Sequence, residues 1–210
     1  MPTPTETPSF VKAFIEIPVL PPRSIVLDPP LSDEEFERLC EMTELALVER
    51  SNVGTIIVNE LAGAMASSAN AEINCQFGNW AQRRGIGCGL MYCGFFLSDG
   101  SCFSPGLAYV TAEQMGKLSI EERAHFLRLA PVFVIELLPR PERFAQIANK
   151  MEAWMANGVQ LGWLVDPYAK EVHVYEPGAA PRIESGSLVP GSGPVEGFVL
   201  DAEEVWRCDE

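Results

Sequence analysis

Apolar positions along this chain recur in two periods that alternate. Phe36, Leu39, Cys40 and Leu47 return at helical spacing behind Ser32 and Glu35, whose separation is that of a capping box, so a first helix is predicted over residues 32 to 48. Gly54-Thr55-Ile56-Ile57-Val58-Asn59-Glu60-Leu61 reads as a strand, and the small, polar Ala66-Ser67-Ser68 leads into a second helix. That helix puts Ile73, Phe77 and Trp80 on one face and Glu72, Gln76, Asn79 and Arg83 on another. Four glycines come next (Gly85, Gly87, Gly89, Gly94). Then Phe95-Phe96-Leu97, the turn Ser98-Asp99-Gly100-Ser101 and the run from Cys102 to Val110 predict a hairpin. Two more capping boxes, Thr111 with Gln114 and Ser119 with Glu122, start short helices.

The second half is more regular. Pro131-Val132-Phe133-Val134-Ile135-Glu136-Leu137-Leu138 has the unbroken apolar character of a strand buried on both faces, yet it holds a glutamate. A carboxylate there needs a cation or hydrogen-bond donors, so Glu136 reads as a ligand, the remnant of one, or half of a salt bridge with Lys150 or an arginine. From Glu142 to Asn157 a helix carries Phe144, Ile147, Ala148, Met151 and Met155 on one side, and Gly158 ends it. Leu161-Gly162-Trp163-Leu164-Val165 and Glu171-Val172-His173-Val174-Tyr175 are strands joined through the Asp166-Pro167 turn. The order strand, helix, strand between 131 and 165 implies a right-handed parallel crossover. The expected fold is α/β, a mixed central sheet flanked by helices on both faces.

Composition narrows the class. With 210 residues and 47% hydrophobic content the chain can bury one sizeable core and is short for two. Residues 1–30 hold eight of the 17 prolines and are expected to be a Pro-rich arm, with residues 31–210 as a single domain. Within that arm, Phe14-Ile15-Glu16-Ile17 could dock on a partner. No apolar run approaches the roughly 18 residues of a membrane span and no basic leader precedes one, so a soluble, cytoplasmic protein is expected, with its six cysteines reduced. Cys88, Cys93 and Cys102 would make three-quarters of a zinc site or a redox sensor, but His125 and His173 lie far along the chain.

The net charge of -14 argues against generic nucleic-acid binding. Its distribution tempers that conclusion. Residues 81–150 carry eight basic groups against six acidic ones, a local +2 that leaves the remainder at -16, so an anion should meet the middle of the chain. Arg83, Arg84, Arg140 and Arg143 are the candidates for phosphate contact.

Ser104-Pro105-Gly106-Leu107-Ala108-Tyr109-Val110, Phe133-Val134-Ile135-Glu136-Leu137, Lys150-Met151-Glu152-Ala153-Trp154, Gly158 to Pro167 and Gly197-Phe198-Val199-Leu200-Asp201 together resemble, in order, the blocks of the Uma-type restriction endonucleases. These are compact members of the PD-(D/E)XK nuclease superfamily, and the resemblance runs from about residue 30 to residue 207. It implies a restriction endonuclease-like fold, hydrolysis of DNA phosphodiesters, Mg2+ as cofactor, and a site made of a helical glutamate, an aspartate, a strand glutamate and a lysine displaced onto the next helix. Those positions fall on Glu72, Gly106, Glu136 and Lys150. The aspartate is missing.

Mg2+ takes one or two carboxylates, waters and substrate phosphate in near-octahedral geometry, so losing one carboxylate weakens the ion directly. Lys150 would orient water or stabilise developing charge, but it cannot supply the metal. Asp99 sits in the far turn of the hairpin, some 20 Å of extended chain from Gly106, and is a poor substitute; Glu60 is another candidate. Read without the resemblance, Glu72 is a solvated helix position, Lys150 a surface lysine, and Trp154, Trp163 and Tyr175 are core rather than stacking platforms. The expectation is therefore a nuclease-fold protein with impaired cleavage, or else a non-catalytic DNA- or protein-binding subunit, and by analogy of fold a homodimer.

Overall fold

The computed structural model describes residues 23–43, 46–59, 61–85 and 87–207. Its centre is a six-stranded mixed sheet formed by β4 (Gly87–Leu90), β7 (Leu107–Thr111), β8 (Phe133–Leu137), β9 (Leu161–Asp166), β10 (Glu171–Tyr175) and β11 (Arg182–Glu184), in the spatial order β11-β10-β9-β8-β7-β4. β8 and β9 are parallel and every other pair is antiparallel. The long helix α4 (Phe144–Ala156) makes the crossover between them, as the strand, helix, strand order predicts.

Alternate residues of β8 serve two cores. Phe133 and Ile135 pack with Ile73 and Phe77 of α2 (Ala64–Arg84) and with Val205 and Trp206 of α5 (Ala202–Trp206), while Val134 packs on the other face with Met151 and Trp154 of α4. This is the strand period of two meeting two helical layers. Phe77 is the hub of the first core, with the rings of Trp80, Tyr109, Phe133 and Phe198 at 5.1 to 5.8 Å. Full burial of one such ring is worth roughly 2–3 kcal/mol. Trp154, Trp163 and Tyr175 are all buried, in accord with their reading as core.

A second sheet stands beside the first, in the order β1-β3-β2-β6-β5. It comprises β1 (Arg23–Ile25), β2 (Leu47–Arg50), β3 (Ile56–Asn59), β5 (Phe95–Phe96) and β6 (Cys102–Phe103), and α1 (Asp33–Glu41) packs Phe36 onto it. A short helix α3 (Ala112–Gly116) succeeds β7, and a two-stranded ribbon of β12 (Leu188–Pro190) and β13 (Val199–Asp201) precedes α5.

Three expectations change. The first helix stops at Glu41 instead of running to residue 48, because the N–H of Met42 closes on Arg38 and the Thr43 hydroxyl caps the Leu39 carbonyl. Leu47, whose spacing fits the helix by coincidence, starts β2 and pairs with Asn59. The run from Cys102 to Val110 is two strands, since Pro105 has no N–H to donate and the Ser104-Pro105-Gly106 step passes the chain from one sheet to the other. The end of the Pro-rich arm is a strand, β1, on the edge of the second sheet. The segment Phe14–Ile17 lies outside the described residues. All three capping boxes form, although the one at Ser119 starts only a single 3-10 turn.

Candidate active site

Three elements deliver charge to one buried point. β2 brings Glu49, β8 brings Glu136, and α4 reaches between them with Lys150, whose Nζ lies 2.6 Å from Glu49 Oε1 and 2.7 Å from Glu136 Oε1. The same ammonium donates to the Ser104 carbonyl at 3.3 Å, which uses its third proton. Glu49 and Glu136 are 4% and 5% exposed. Glu49 also accepts from the Ser104 N–H at 2.9 Å and from Asn59 Nδ2 at 3.0 Å. Glu136 Oε1 takes Trp154 Nε1 at 2.9 Å, and Trp154 stands one helical turn after Lys150 on the same face of α4.

One ammonium cannot neutralise two buried carboxylates. The carboxyl of Glu136 is pushed above the usual range by burial, against the opposing pull of Lys150. Burial works on Lys150 in the other sense, but the carboxylates of Glu136 and Glu49 outweigh it and raise the amine to about 12. Lys150 is thus a buried cation with its side chain 11% exposed, not a surface lysine.

Gly106 lies one residue beyond the last ladder pair of β7 and β8, Leu107 with Ile135, and so stands opposite Glu136. A Cβ there would fall 2.7 Å from Asn70 Oδ1 and 3.3 Å from the Ile135 carbonyl. Asn70 is held by its neighbour one turn on, because Asn74 Nδ2 donates to the Asn70 carbonyl, to Asn70 Oδ1 and to the Gly106 carbonyl. Asn70 and Asn74 form the edge of α2 that meets this position. Glu72, some 200° around the helix from Asn70, faces elsewhere. It accepts from Gln76, which in turn clasps both backbone groups of Asp201 in β13. Glu136 and Lys150 are brought together, and Glu72 does not join them.

The remaining candidates separate as well. Asp99 stays in its turn, bound to Ser101, while its N–H donates to Asn157 beyond the end of α4. Glu60 lies outside the described residues. Arg83 and Arg84 line a groove with Trp80 and Gly197 at the end of α2, and Arg140 and Arg143 line a small recess with Asn59 and Gly63 at its start. Among the described residues, no three His, Cys, Asp or Glu side chains gather into a metal-holding group, and no helix is long and apolar enough to cross a membrane.

Comparison with known proteins gives the family and the fold. The sequence profile of the Uma2 family, described as "Putative restriction endonuclease", matches residues 33–203. The chain belongs to the Uma2 family. A crystal structure titled as that of "a putative nuclease belonging to DUF820" from Anabaena variabilis ATCC 29413 superposes with a TM-score of 0.69 at 18% identity, covering 85% of this chain and 99% of that one. The fold is restriction endonuclease-like. No curated protein sequence gives a significant match.

As they stand, the residues of this Uma2 member do not fit a magnesium ion. Such an ion wants about six oxygens in octahedral array, with carboxylates free to turn toward it. Here both oxygens of Glu49 and one of Glu136 are engaged by Lys150, Trp154, Ser104 and Asn59, and position 106 brings no side chain. The further oxygens at hand are neutral ones, Asn70 Oδ1 beside position 106 and the Ser104 hydroxyl, which is buried without a hydrogen-bond partner.

Glu49 is the member of the cluster that reading along the sequence does not find. The helical spacing of Leu47 draws Leu47-Val48-Glu49-Arg50 toward the end of the first helix, although the Ser51-Asn52-Val53-Gly54 turn and the strand beyond it carry the signature of a hairpin. Such a hairpin places a glutamate between buried neighbours, the same anomaly that marks Glu136.

Proposed function

We propose that this Uma2 member has kept the nuclease scaffold and lost most or all of the metal-dependent hydrolysis of DNA phosphodiesters that the resemblance implies. One observation carries the proposal: the ammonium of Lys150 ties Glu49 to Glu136 in a buried cluster, beside Gly106, where the resemblance implies an acid. In a magnesium-dependent site the carboxylates would hold the ion and the lysine would face the attacking water or the phosphate. Here the lysine takes the carboxylates for itself, and the cluster serves as a structural ion pair.

A non-catalytic role in contact with DNA is the second reading. It is favoured by Arg140 and Arg143, which share a recess with Asn59 and with Gly63, the residue before the first turn of α2. Asn59 is bonded to Glu49, so that basic rim adjoins the buried cluster. Binding of this kind would weaken steeply with salt.

Plasmid cleavage in Mg2+ and in Mn2+ tests the proposal. The natural protein should leave the plasmid intact. Gly106→Asp combined with Asn70→Ala, which clears the space beside position 106, should gain cleavage that a further Glu136→Ala abolishes. Cleavage by the natural protein that disappears with Glu136→Ala would overturn the reading.

A further inference from the structure

The two ends of the six-stranded sheet are built differently. β11 closes one end with Arg182 and Glu184, charges of the kind that keep an open edge from recruiting another strand. β4 closes the other end, and Gly87-Cys88-Gly89-Leu90 with the adjoining Met91-Tyr92 contains no charge. Cys88 and Gly89 are exposed, and Met91 and Tyr92 are 52% and 69% exposed.

The direction of the backbone decides what this edge can do. The Tyr109 carbonyl accepts from the Val132 N–H, so the peptide groups of Tyr109 face β8. In an antiparallel ladder its partner on the other side, Gly89, then turns its own N–H and C=O away from β7. Gly87 does the same two residues earlier. Both glycines therefore present hydrogen-bonding groups to the open side; a Cβ would press on the Val110 carbonyl and the Tyr109 ring at Gly87 and fall 3.2 Å from the Phe77 ring at Gly89. A groove of about 390 Å³ lies beside the edge, lined by Phe77, Gly78, Met91 and Leu107.

We propose that β4 pairs antiparallel with β4 of a second copy of this chain, about a two-fold axis beside Gly89, so that one sheet runs through both subunits. The occupant is a second copy for reasons of charge and symmetry. A chain of net charge -14 repels itself, and two copies meet at least cost where neither carries charge, which this six-residue edge provides. An antiparallel edge is also self-complementary, as a two-fold interface requires. With Gly89 facing its own copy, the two Cys88 side chains lie diagonally across the axis, about 7–8 Å apart. The proposal is independent of whether the chain cuts DNA.

Sedimentation of the full chain from low to high micromolar concentration should show a dimer. Cys88→Lys, a change at an exposed position, should shift the dissociation constant upward by at least tenfold and leave the far-UV circular dichroism unchanged. In a Cys75→Ser, Cys208→Ser background, a short bismaleimide should give a covalent dimer that is lost on adding Cys88→Ser. A monomer at every concentration, or a dimer whose association Cys88→Lys leaves unchanged, would overturn the proposal.

Discussion

Two charge triads leave β2 from consecutive residues on opposite faces, and they differ in balance and in burial. Glu49 enters a cluster of two acids and one base, Glu49, Lys150 and Glu136, sealed under α4. Arg50 enters a triad with Arg128 and Asp33, in which both guanidiniums hold Asp33 at the start of α1, and Glu34 adds a second acid 3.7 Å from Arg128, so the charges there balance. The first is nearly dry. The second is half open, with Asp33 31% and Arg128 56% exposed, and its cations are spread over the rings of Phe36 and Phe96. Guanidinium groups have many donors and stack on aromatic faces, so two of them side by side near water are cheaply accommodated. A carboxylate in a dry site is not, and burial, with the Glu49 carboxylate beside it, raises the carboxyl of Glu136. Burial, more than the number of ion pairs, separates a cluster that matters for stability from one that tunes it.

The sharpest way to break the comparison is Lys150→Met. It strands two buried carboxylates, and removing one partner of a buried pair costs about 3–5 kcal/mol, to be read from urea unfolding at neutral pH. An effect below about 1 kcal/mol would mean that the cluster is wetter than its geometry.

Glu136→Gln should do much less. The amide keeps an acceptor for Trp154 and Lys150 and removes the surplus charge, so stability at neutral pH should stay within about 1 kcal/mol of the natural protein or rise. The pH profile sharpens the distinction. A carboxyl raised by folding stabilises below its ordinary value of 4.5 and loses that contribution as pH climbs through the raised value. Lys150 adds a second contribution, complete below 10.5 and lost as pH passes about 12. Thermal unfolding against pH should show both declines in the natural protein and only the alkaline one in Glu136→Gln. Asp33 behaves oppositely: burial works to raise it, but hydrogen bonds from Arg128 and Arg50 hold it below 3.8, so its contribution is present above that value and lost in acid.

Asp33→Asn is the smallest change. The half-exposed triad should give up no more than about 1 kcal/mol, and 0.5 M salt should reduce that difference further. A larger loss would place this triad with the buried one.

What the sequence makes legible depends on the range of the interactions. The capping boxes at Ser32 and Thr111, the apolar face of α2, and the succession β8, α4, β9 are written in residues a few positions apart, where periodicity and caps act. The end of α1 is misplaced by spacing alone because Leu47 fits two periods at once and only its pairing with Asn59 decides between them. The resemblance points to Glu136, Lys150 and Gly106, and a salt bridge between the first two is among the readings it leaves open. Glu49 and Asn70 escape because nothing near them in sequence records that β2 and α2 converge on β8. The facing of Glu72 is likewise beyond reach, since a helical wheel shows which residues share a face but not what that face meets.

Asn70 has a historical side. An aspartate at position 106 would bring its Cβ to within 2.7 Å of the Asn70 amide oxygen, which Asn74 holds in place. A change of Gly106 alone to an acid therefore meets a seat already taken. In a lineage carrying this pair, an acid at position 106 would be accepted more readily after Asn70 had changed than before, and the order of the two changes, not chemistry alone, would keep the glycine where it is.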